Sequence, residues 1–178
     1  MANRHLDRVL QTHYLEGLAD WPIEEIRAHR AECQRLEDAA SYLRRLVQTR
    51  LDILGMELRG RAVGEDVDLG ELIERLPSIL TDPASHRNTG GRLLGAELGE
   101  DQERWAQSVV GNCCGEHDVE SAPEMSVDKL KSLADCLADL ELHVSAERRK
   151  LHDVFDQLQA ELVQRYKTGR ASVDRLLQ

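Results

Sequence analysis

The feature that most constrains the fold is a seam of apolar residues, spaced every three or four positions between residues 36 and 58. Its members are Leu36, Ala40, Leu43, Val47, Leu51, Leu54 and Leu58. This period is that of one face of an α-helix, and no Pro or Gly interrupts the segment before Gly55. A helix with such a seam buries it against a partner helix, so the pattern predicts a long helix in a coiled coil.

A stripe of polar residues borders this seam. Its members are Glu37, Ser41, Arg44, Gln48 and Asp52. An α-helix turns by about 100° per residue, so the five side chains fall within about 80° of one another on the helix surface. Taken alone, the stripe is also what the charged flank of an ordinary coiled coil provides.

The same stripe occurs a second time, 104 residues further along the chain. The second copy is Glu141, Ser145, Arg148, His152 and Asp156, in which His152 replaces Gln48 as the only change of residue type. The seam recurs with it, through Leu133, Leu137, Leu140, Val144, Leu151, Phe155 (or Val154), Leu158 and Leu162, and Arg148 interrupts it. A coiled coil needs a repeated seam, but it does not need Ser, Arg and Asp at fixed phases. Two copies therefore favour a quasi-symmetric site for a quasi-symmetric ligand.

These patterns predict an all-α fold, a long antiparallel two-helix coiled-coil hairpin with short helices in the connection. We expect a single helical domain over residues 1–178, with the first long helix at 22–62, the connection at 63–125 and the second long helix at 126–168. Within the connection, we expect short helices at residues 69–80 and 101–110. We expect loops at residues 81–92 and 111–125. For residues 1–20 we expect weak structure with a helical turn within HLDRVLQTHYLEGL, residues 5–18. Ser126 is the expected cap of the second long helix, and Gly169 its expected end.

The composition fits an elongated helical protein and narrows its partners. Charged residues make up 31% of the chain and aromatic residues only 3%, which disfavours a thick globular core. The net charge of −10 should repel DNA and anionic membranes and would suit a basic protein partner. The N-terminus does not resemble a signal peptide, and no run of about 18 apolar residues occurs, so we expect a cytoplasmic protein.

Four cysteines are expected to be reduced thiols in that compartment. Cys33 and Cys136 are expected only to pack near the helix starts. Cys113, Cys114 and His117 form the group CCGEH, but their spacing matches no common zinc pattern and offers only three ligands. We therefore predict no metal site.

The doubled pattern E-x3-S-x2-R-x3-Q-x3-D resembles the cyclic di-GMP signature of the actinobacterial anti-sigma factors of the RsiG type. The resemblance extends to the segments GLADWPIEEIRAHRAEC, ELIERLPSILTD and ELVQRYKTGRASVD. It implies that two antiparallel helices hold cyclic di-GMP as a dimer, and that the loaded protein sequesters a flagellar-type sigma factor, WhiG in the sporulating species. His152 departs from the family pattern, because a neutral His offers one donor and one acceptor in place of an amide.

The resemblance implies ligand contacts for all ten stripe residues. Arg44 and Arg148 suit the O6 and N7 acceptors of guanine, and Asp52 and Asp156 suit its N1–H and N2–H₂ donors. Ser41 and Ser145 permit close approach, Glu37 and Glu141 take a guanine edge or orient a neighbouring Arg, and Gln48 and His152 fill the remaining contacts. The sequence has no phosphate loop, nucleophile motif or metal-carboxylate cluster, so we expect no enzyme. Two alternatives remain open: a structural coiled-coil adaptor without a nucleotide ligand, and a cyclic di-GMP sensor whose partner is not a sigma factor.

Overall fold

The computed structural model describes residues 4–63 and 98–169, and every regular element in these ranges is helical. In chain order the elements are α1 (Arg4–Val9), a first 3₁₀ turn (Leu18–Asp20), α2 (Ile23–Val63), α3 (Glu100–Gly111), α4 (Glu116–Glu120), a second 3₁₀ turn (Ala122–Glu124) and α5 (Val127–Lys167). The expected helix at 69–80 and the expected loop at 81–92 lie outside the described residues. The prediction of an all-α fold is confirmed.

The two long helices, α2 and α5, have the same length of 41 residues, and their bounds differ by 104 at both ends. A 3₁₀ turn and one extended residue precede each of them, Trp21 before α2 and Met125 before α5. As expected, the Ser126 hydroxyl caps α5 by accepting the Lys129 N–H at 3.3 Å. Beyond α5, Gly169 has a φ of 68°, the left-handed conformation that commonly terminates a helix. The internal repeat therefore extends from the stripes to the element boundaries.

The chain divides into two compact units. The first unit is Ala39–Ser145, and the second combines Ala2–Asp38 with Ala146–Gln178. In the first unit, α2 and α5 bury most of the predicted seam residues: Ala40, Leu43, Val47, Leu54, Leu133, Leu137 and Val144. Leu130, ahead of the predicted seam on α5, is buried with them, and α3 adds Ala106 and Val110, whereas Leu51, Leu58 and Leu140 are only half-buried. The α2 and α5 segments of this unit run antiparallel, because Arg44 contacts Glu141 whereas Arg61, later in α2, contacts the carbonyl of Met125 just ahead of α5.

The second unit is built in the same way. Its buried residues are Ile26, Cys33 and Leu36 from α2, Leu151, Leu158 and Leu162 from α5, and Leu6 and Val9 from α1. Arg27, near the start of α2, donates to the hydroxyl of Tyr166 near the end of α5, and Glu37 accepts from Arg148. The helix segments are therefore antiparallel here too, which confirms the predicted antiparallel hairpin with short helices in the connection.

Two sequence-based expectations are wrong. Cys113 and Cys136 form a disulfide with a Cα–Cα distance of 5.6 Å, so the four cysteines are not all thiols and Cys136 does more than pack. Helix α4 and the second 3₁₀ turn lie within residues 111–125, where a loop was expected. By contrast, α1 agrees with the helical turn expected near the start of the chain. Short helices of this kind have little stability alone, so packing against the long helices decides whether they form.

Candidate functional site

The ten predicted site residues are distributed over the two units. Ser41, Arg44, Gln48, Asp52, Glu141 and Ser145 belong to the first unit, and Glu37, Arg148, His152 and Asp156 belong to the second. All ten lie on the long helices, which hold their backbones rigid. Each unit therefore presents its own set of stripe residues.

In the first unit, Glu141 receives hydrogen bonds from two other predicted site residues. The Nε of Arg44 donates to Oε1 of Glu141 at 3.0 Å, and the Ser145 hydroxyl donates to the same oxygen at 2.8 Å. Only about a fifth of the Arg44 and Glu141 side chains is exposed. A guanidinium that is bonded on one edge and partly buried has few rotamers left, so this contact orients Arg44.

In the second unit, Glu37 has the equivalent role. Its Oε1 accepts from Nε and Nη2 of Arg148, at 3.3 and 3.0 Å. The Nε2 atom of His152 lies 3.5 Å from the same oxygen, although 54% of the His152 side chain is exposed. The one stripe position that differs between the repeats therefore also lies against the paired carboxylate.

The two ion pairs are exchanged between the repeats. Glu37 of the first stripe bonds Arg148 of the second, and Glu141 of the second stripe bonds Arg44 of the first. Partly exposed ion pairs of this kind contribute only about 0–1 kcal/mol, because both charges keep some contact with water. The pairs therefore orient the side chains but contribute little to stability. A ligand that offers better hydrogen bonds can rearrange them.

The structure thus gathers six of the ten predicted residues into two clusters: Arg44, Glu141 and Ser145 in one, and Glu37, Arg148 and His152 in the other. The remaining four are placed on the same helices. Ser41, Gln48 and Asp52 are half-buried on α2, and Asp156 is exposed on α5. Adjacent to the stripes, Arg45, Arg149 and Lys150 are exposed and add positive charge.

Sequence reasoning missed a second set of contacts that occurs in both repeats, made by Arg61 and Arg165. In the first unit, Arg61 donates to Glu57 at 2.5 Å, to the carbonyls of Ala122 and Pro123 at 2.8 and 2.7 Å, and to that of Met125. The guanidinium therefore binds carbonyls of the second 3₁₀ turn and of the extended residue after it, and it adds a donor to the Ala122 carbonyl, which also accepts the Met125 N–H.

Arg165 makes the same set of contacts in the second unit. It donates to Glu161 at 2.7 Å, to the carbonyls of Leu18 and Ala19 at 3.0 Å each, and to that of Trp21. Each of these residues is 104 positions from its counterpart in the Arg61 set: the arginine and the glutamate lie later in the chain, and the three carbonyls lie earlier. The signal was present in the sequence, since Arg61 and Arg165 follow the matched residues Glu57 and Glu161 by four positions.

Two further properties of the described residues bear on the site. Within residues 4–63 and 98–169, His, Cys, Asp and Glu side chains form no group of three or more that could hold a metal ion. No helix in the same ranges has an apolar stretch long enough to cross a membrane.

Comparison with known proteins identifies one family. A family model described as RsiG-like matches residues 12–80 and 116–178, well over half of the chain. The matched ranges contain both stripes, both 3₁₀ turns and both arginines that bind them. No curated protein matches the chain significantly.

Proposed function

The chain belongs to the RsiG-like family, and we propose on this premise that it is an anti-sigma factor controlled by cyclic di-GMP. In this proposal the two stripes bind the dinucleotide, and the loaded protein sequesters a sigma factor of the flagellar or WhiG type. The ligand acts as a signal and is not consumed, so the protein is a receptor and not an enzyme. Its place of action is the cytoplasm, where sigma factors work.

The observation that carries the proposal is the exchanged pairing of Arg44 with Glu141 and of Arg148 with Glu37. It gives each unit one oriented guanidinium, held by a carboxylate from the other repeat. Cyclic di-GMP has two identical halves, and two equivalent sets of side chains suit a ligand with that symmetry. The pairing thus supports symmetric recognition, with one arginine for each repeat.

The chemistry of the stripe residues matches a guanine. A guanidinium has five N–H donors, so a glutamate can hold one edge while another edge donates to O6 and N7 of the base. A carboxylate accepts from N1–H and N2–H₂, which is the role proposed for Asp52 and Asp156. Adenine has an amino donor in place of O6, so the same arginine geometry would discriminate against cyclic di-AMP.

Charge also bears on the ligand and on the partner. The four stripe carboxylates and two stripe arginines have a net negative charge, so two arginines alone do not balance a ligand with two phosphates. The exposed Arg45, Arg149 and Lys150 supply part of the missing positive charge. The net charge of −10 on the whole chain favours association with a basic protein, and this supports a sigma factor as the partner.

A structural coiled-coil adaptor is the second candidate, and the same ion pairs favour it. Charged pairs beside an apolar seam set the register and partner choice of coiled coils without any ligand. An adaptor has no reason to bind a cyclic dinucleotide, so ligand binding separates the two functions. A cyclic di-GMP sensor with a partner other than a sigma factor would also bind the dinucleotide. Only a measurement of sigma-factor binding distinguishes it from the proposed anti-sigma factor.

The test is calorimetric titration of the protein with cyclic di-GMP and, as a control ligand, cyclic di-AMP. Arg44→Ala and Arg148→Ala should each weaken cyclic di-GMP binding by about 1–3 kcal/mol, which is roughly 5- to 150-fold. Arg45→Ala and Arg149→Ala are matched controls, because these arginines are adjacent in sequence, related by the same shift and exposed. Their loss should be much smaller and should diminish at high salt.

Two results would contradict the proposal. One is the absence of cyclic di-GMP binding by the unmodified protein, which would leave the adaptor. The other is an equal effect of the stripe variants and their controls, which would mean that the ligand senses only overall positive charge.

A further inference from the structure

The inference concerns the segments that precede the two long helices. In the second unit, α1 lies against α2 and buries Leu6 and Val9. In the first unit, the end of α3 and the following turn bury Val110 and Cys114. Leu6 and Val110 are equivalent under the shift of 104. Each repeat therefore has a segment ahead of its long helix that packs through the same position, and we call it the lead-in segment.

In the second unit an ionic contact holds the lead-in segment on the long helix. The Nη2 atom of Arg8 donates to both carboxylate oxygens of Glu32, at 2.5 and 2.6 Å. His5 lies 3.2 Å from the same carboxylate, and the Tyr14 hydroxyl donates to it at 3.3 Å. Glu32 is therefore the anchor point on α2 for residues 5–14.

In the first unit a covalent bond holds the equivalent segment. Cys136 occupies the position of Glu32 in the repeat, and it is bonded to Cys113, one residue beyond the position equivalent to Arg8. The two repeats thus hold their lead-in segments at the same place by different chemistry. One attachment depends on charge, and the other depends on the oxidation state of two sulfur atoms.

We propose that Cys113 and Cys136 are a reversible redox pair, which attaches residues 113–126 to α5 when oxidised and releases them when reduced. Oxidation proceeds by exchange with a low-molecular-weight disulfide. One cysteine thiolate attacks the disulfide and expels one thiolate, and the second cysteine thiolate attacks the resulting mixed disulfide and expels the other. Two protein thiols are oxidised to one disulfide, one external disulfide is reduced to two thiols, and two protons leave with them.

The other two cysteines do not take part in this exchange. Cys33 and Cys114 are fully buried thiols, whereas Cys113 and Cys136 are half-buried. Burial raises the pKa of Cys33 to about 11 and also raises the pKa of Cys114 above its usual value. Since the thiolate is the reactive form, both thiols are poor nucleophiles. Redox chemistry is therefore confined to one pair.

Reduction has a defined structural consequence. The disulfide closes a loop with a sequence separation of 23, and this loop contains the carbonyls of Ala122, Pro123 and Met125 to which Arg61 donates. Opening the bond frees the loop to leave Arg61. The equivalent turn, to which Arg165 donates, follows a segment that is attached by the ionic contact with Glu32. Reduction therefore does not affect it. The pair therefore gives a redox input to one repeat only.

The test compares the full chain after treatment with oxidised glutathione and after treatment with dithiothreitol. Amide hydrogen exchange is measured for Val119, Ser121 and Met125, all of which donate backbone hydrogen bonds to carbonyls within the loop. Reduction should lower their protection by roughly 30-fold or more, the lower end of the effect of losing a native disulfide. The amides of Asp20 and Trp21, in the equivalent turn, should keep theirs.

Cysteine variants and alkylation complete the test. Cys136→Ser should exchange like the reduced protein under both conditions, and Cys114→Ala, the matched control, should keep the redox response. Alkylation before unfolding should label Cys113 and Cys136 only in the reduced protein, and Cys33 and Cys114 in neither state. The proposal is overturned by free Cys113 and Cys136 thiols after oxidation, or by loop protection that is the same in both states.

Discussion

Arg61 and Arg165 bind equivalent turns by equivalent hydrogen bonds, 104 residues apart in the chain. Each guanidinium is held by a glutamate four residues earlier, and it donates to two carbonyls of the 3₁₀ turn that precedes a long helix and to that of the extended residue after the turn. Each long helix therefore starts from a turn that is bound by an arginine near the end of the other long helix. This relationship links the repeat in the sequence to the geometry of the stripes, because the turns set where α2 and α5 begin.

Replacing Arg165 with Ala should destabilise the protein by about 2–3 kcal/mol, because three carbonyls lose a charged donor in a setting where 11% of the side chain is exposed. Arg61→Ala should cost less, about 1–2 kcal/mol, because 26% of that side chain is exposed and water replaces more of its contacts. Urea denaturation measures both. Arg104→Ala, which removes an exposed arginine with partners on its own helix, is the control and should change stability by less than about 0.5 kcal/mol. Equal effects of the three changes would show that the turns are held by other contacts.

Much of this architecture is readable from the sequence, for identifiable reasons. The seam predicts the helices, because burial of one face requires a period of three or four residues. The doubled stripe predicts equivalent positions, because it repeats residue types that a coiled coil does not need. The exchange of Glu37 with Glu141 as partners of Arg148 and Arg44 is not readable, because it depends on the register of the antiparallel pairing. The Cys113–Cys136 bond is not readable either, since it depends on how a short connecting segment folds back.

Leu151→Ala should destabilise the protein by about 2–5 kcal/mol, since Leu151 is buried in the seam of α5 and its removal leaves a cavity. The matched control is Leu142→Ala on the same helix, where 68% of the residue is exposed and the change should be within about 0.5 kcal/mol. Thermal or urea unfolding distinguishes them. Comparable losses at the two positions would contradict the assignment of the seam.

Acid should weaken the attachment of α1 through Glu32. Burial raises the pKa of this carboxyl, but the hydrogen bonds from Arg8 and His5 outweigh burial, and the net pKa is lowered. A lowered folded-state pKa means that the unfolded chain binds the proton more tightly, so the contribution of Glu32 is present above the unfolded pKa and is lost as pH falls through the folded one. The stability difference between the unmodified protein and Glu32→Gln should therefore be constant near neutral pH and shrink below about pH 4.5. A difference that does not change down to pH 3 would contradict this role.

His152→Gln should preserve cyclic di-GMP binding, because it restores the residue of the first stripe and keeps one donor and one acceptor near Glu37. Calorimetry should give an affinity within about threefold of the unmodified protein, since an exposed side chain contributes little. His152→Glu is the control, because it places a second carboxylate beside Glu37 and should weaken binding. A large loss in the Gln variant would mean that the imidazole itself recognises the ligand.

The proposed switch is a coupling between dinucleotide and sigma factor. The ligand must raise the affinity for the sigma factor by the same factor by which the sigma factor raises the affinity for the ligand. Coupling of about 1–3 kcal/mol is typical, whereas a nearly complete switch requires about 5.5 kcal/mol of differential binding. Chemically intact dinucleotide should be recovered after incubation, because a receptor does not turn its signal over.

The most direct measurement is the affinity for a flagellar or WhiG-type sigma factor at zero and at saturating cyclic di-GMP, with Asp52→Ala and Asp156→Ala as controls. We predict that saturating dinucleotide strengthens binding by at least about fivefold in the unmodified protein, the lower end of typical coupling. At a dinucleotide concentration that saturates only the unmodified protein, the two variants should show a much smaller gain. Equal sigma affinity with and without the dinucleotide would contradict the account and leave its two alternatives, a coiled-coil adaptor and a cyclic di-GMP sensor with another partner.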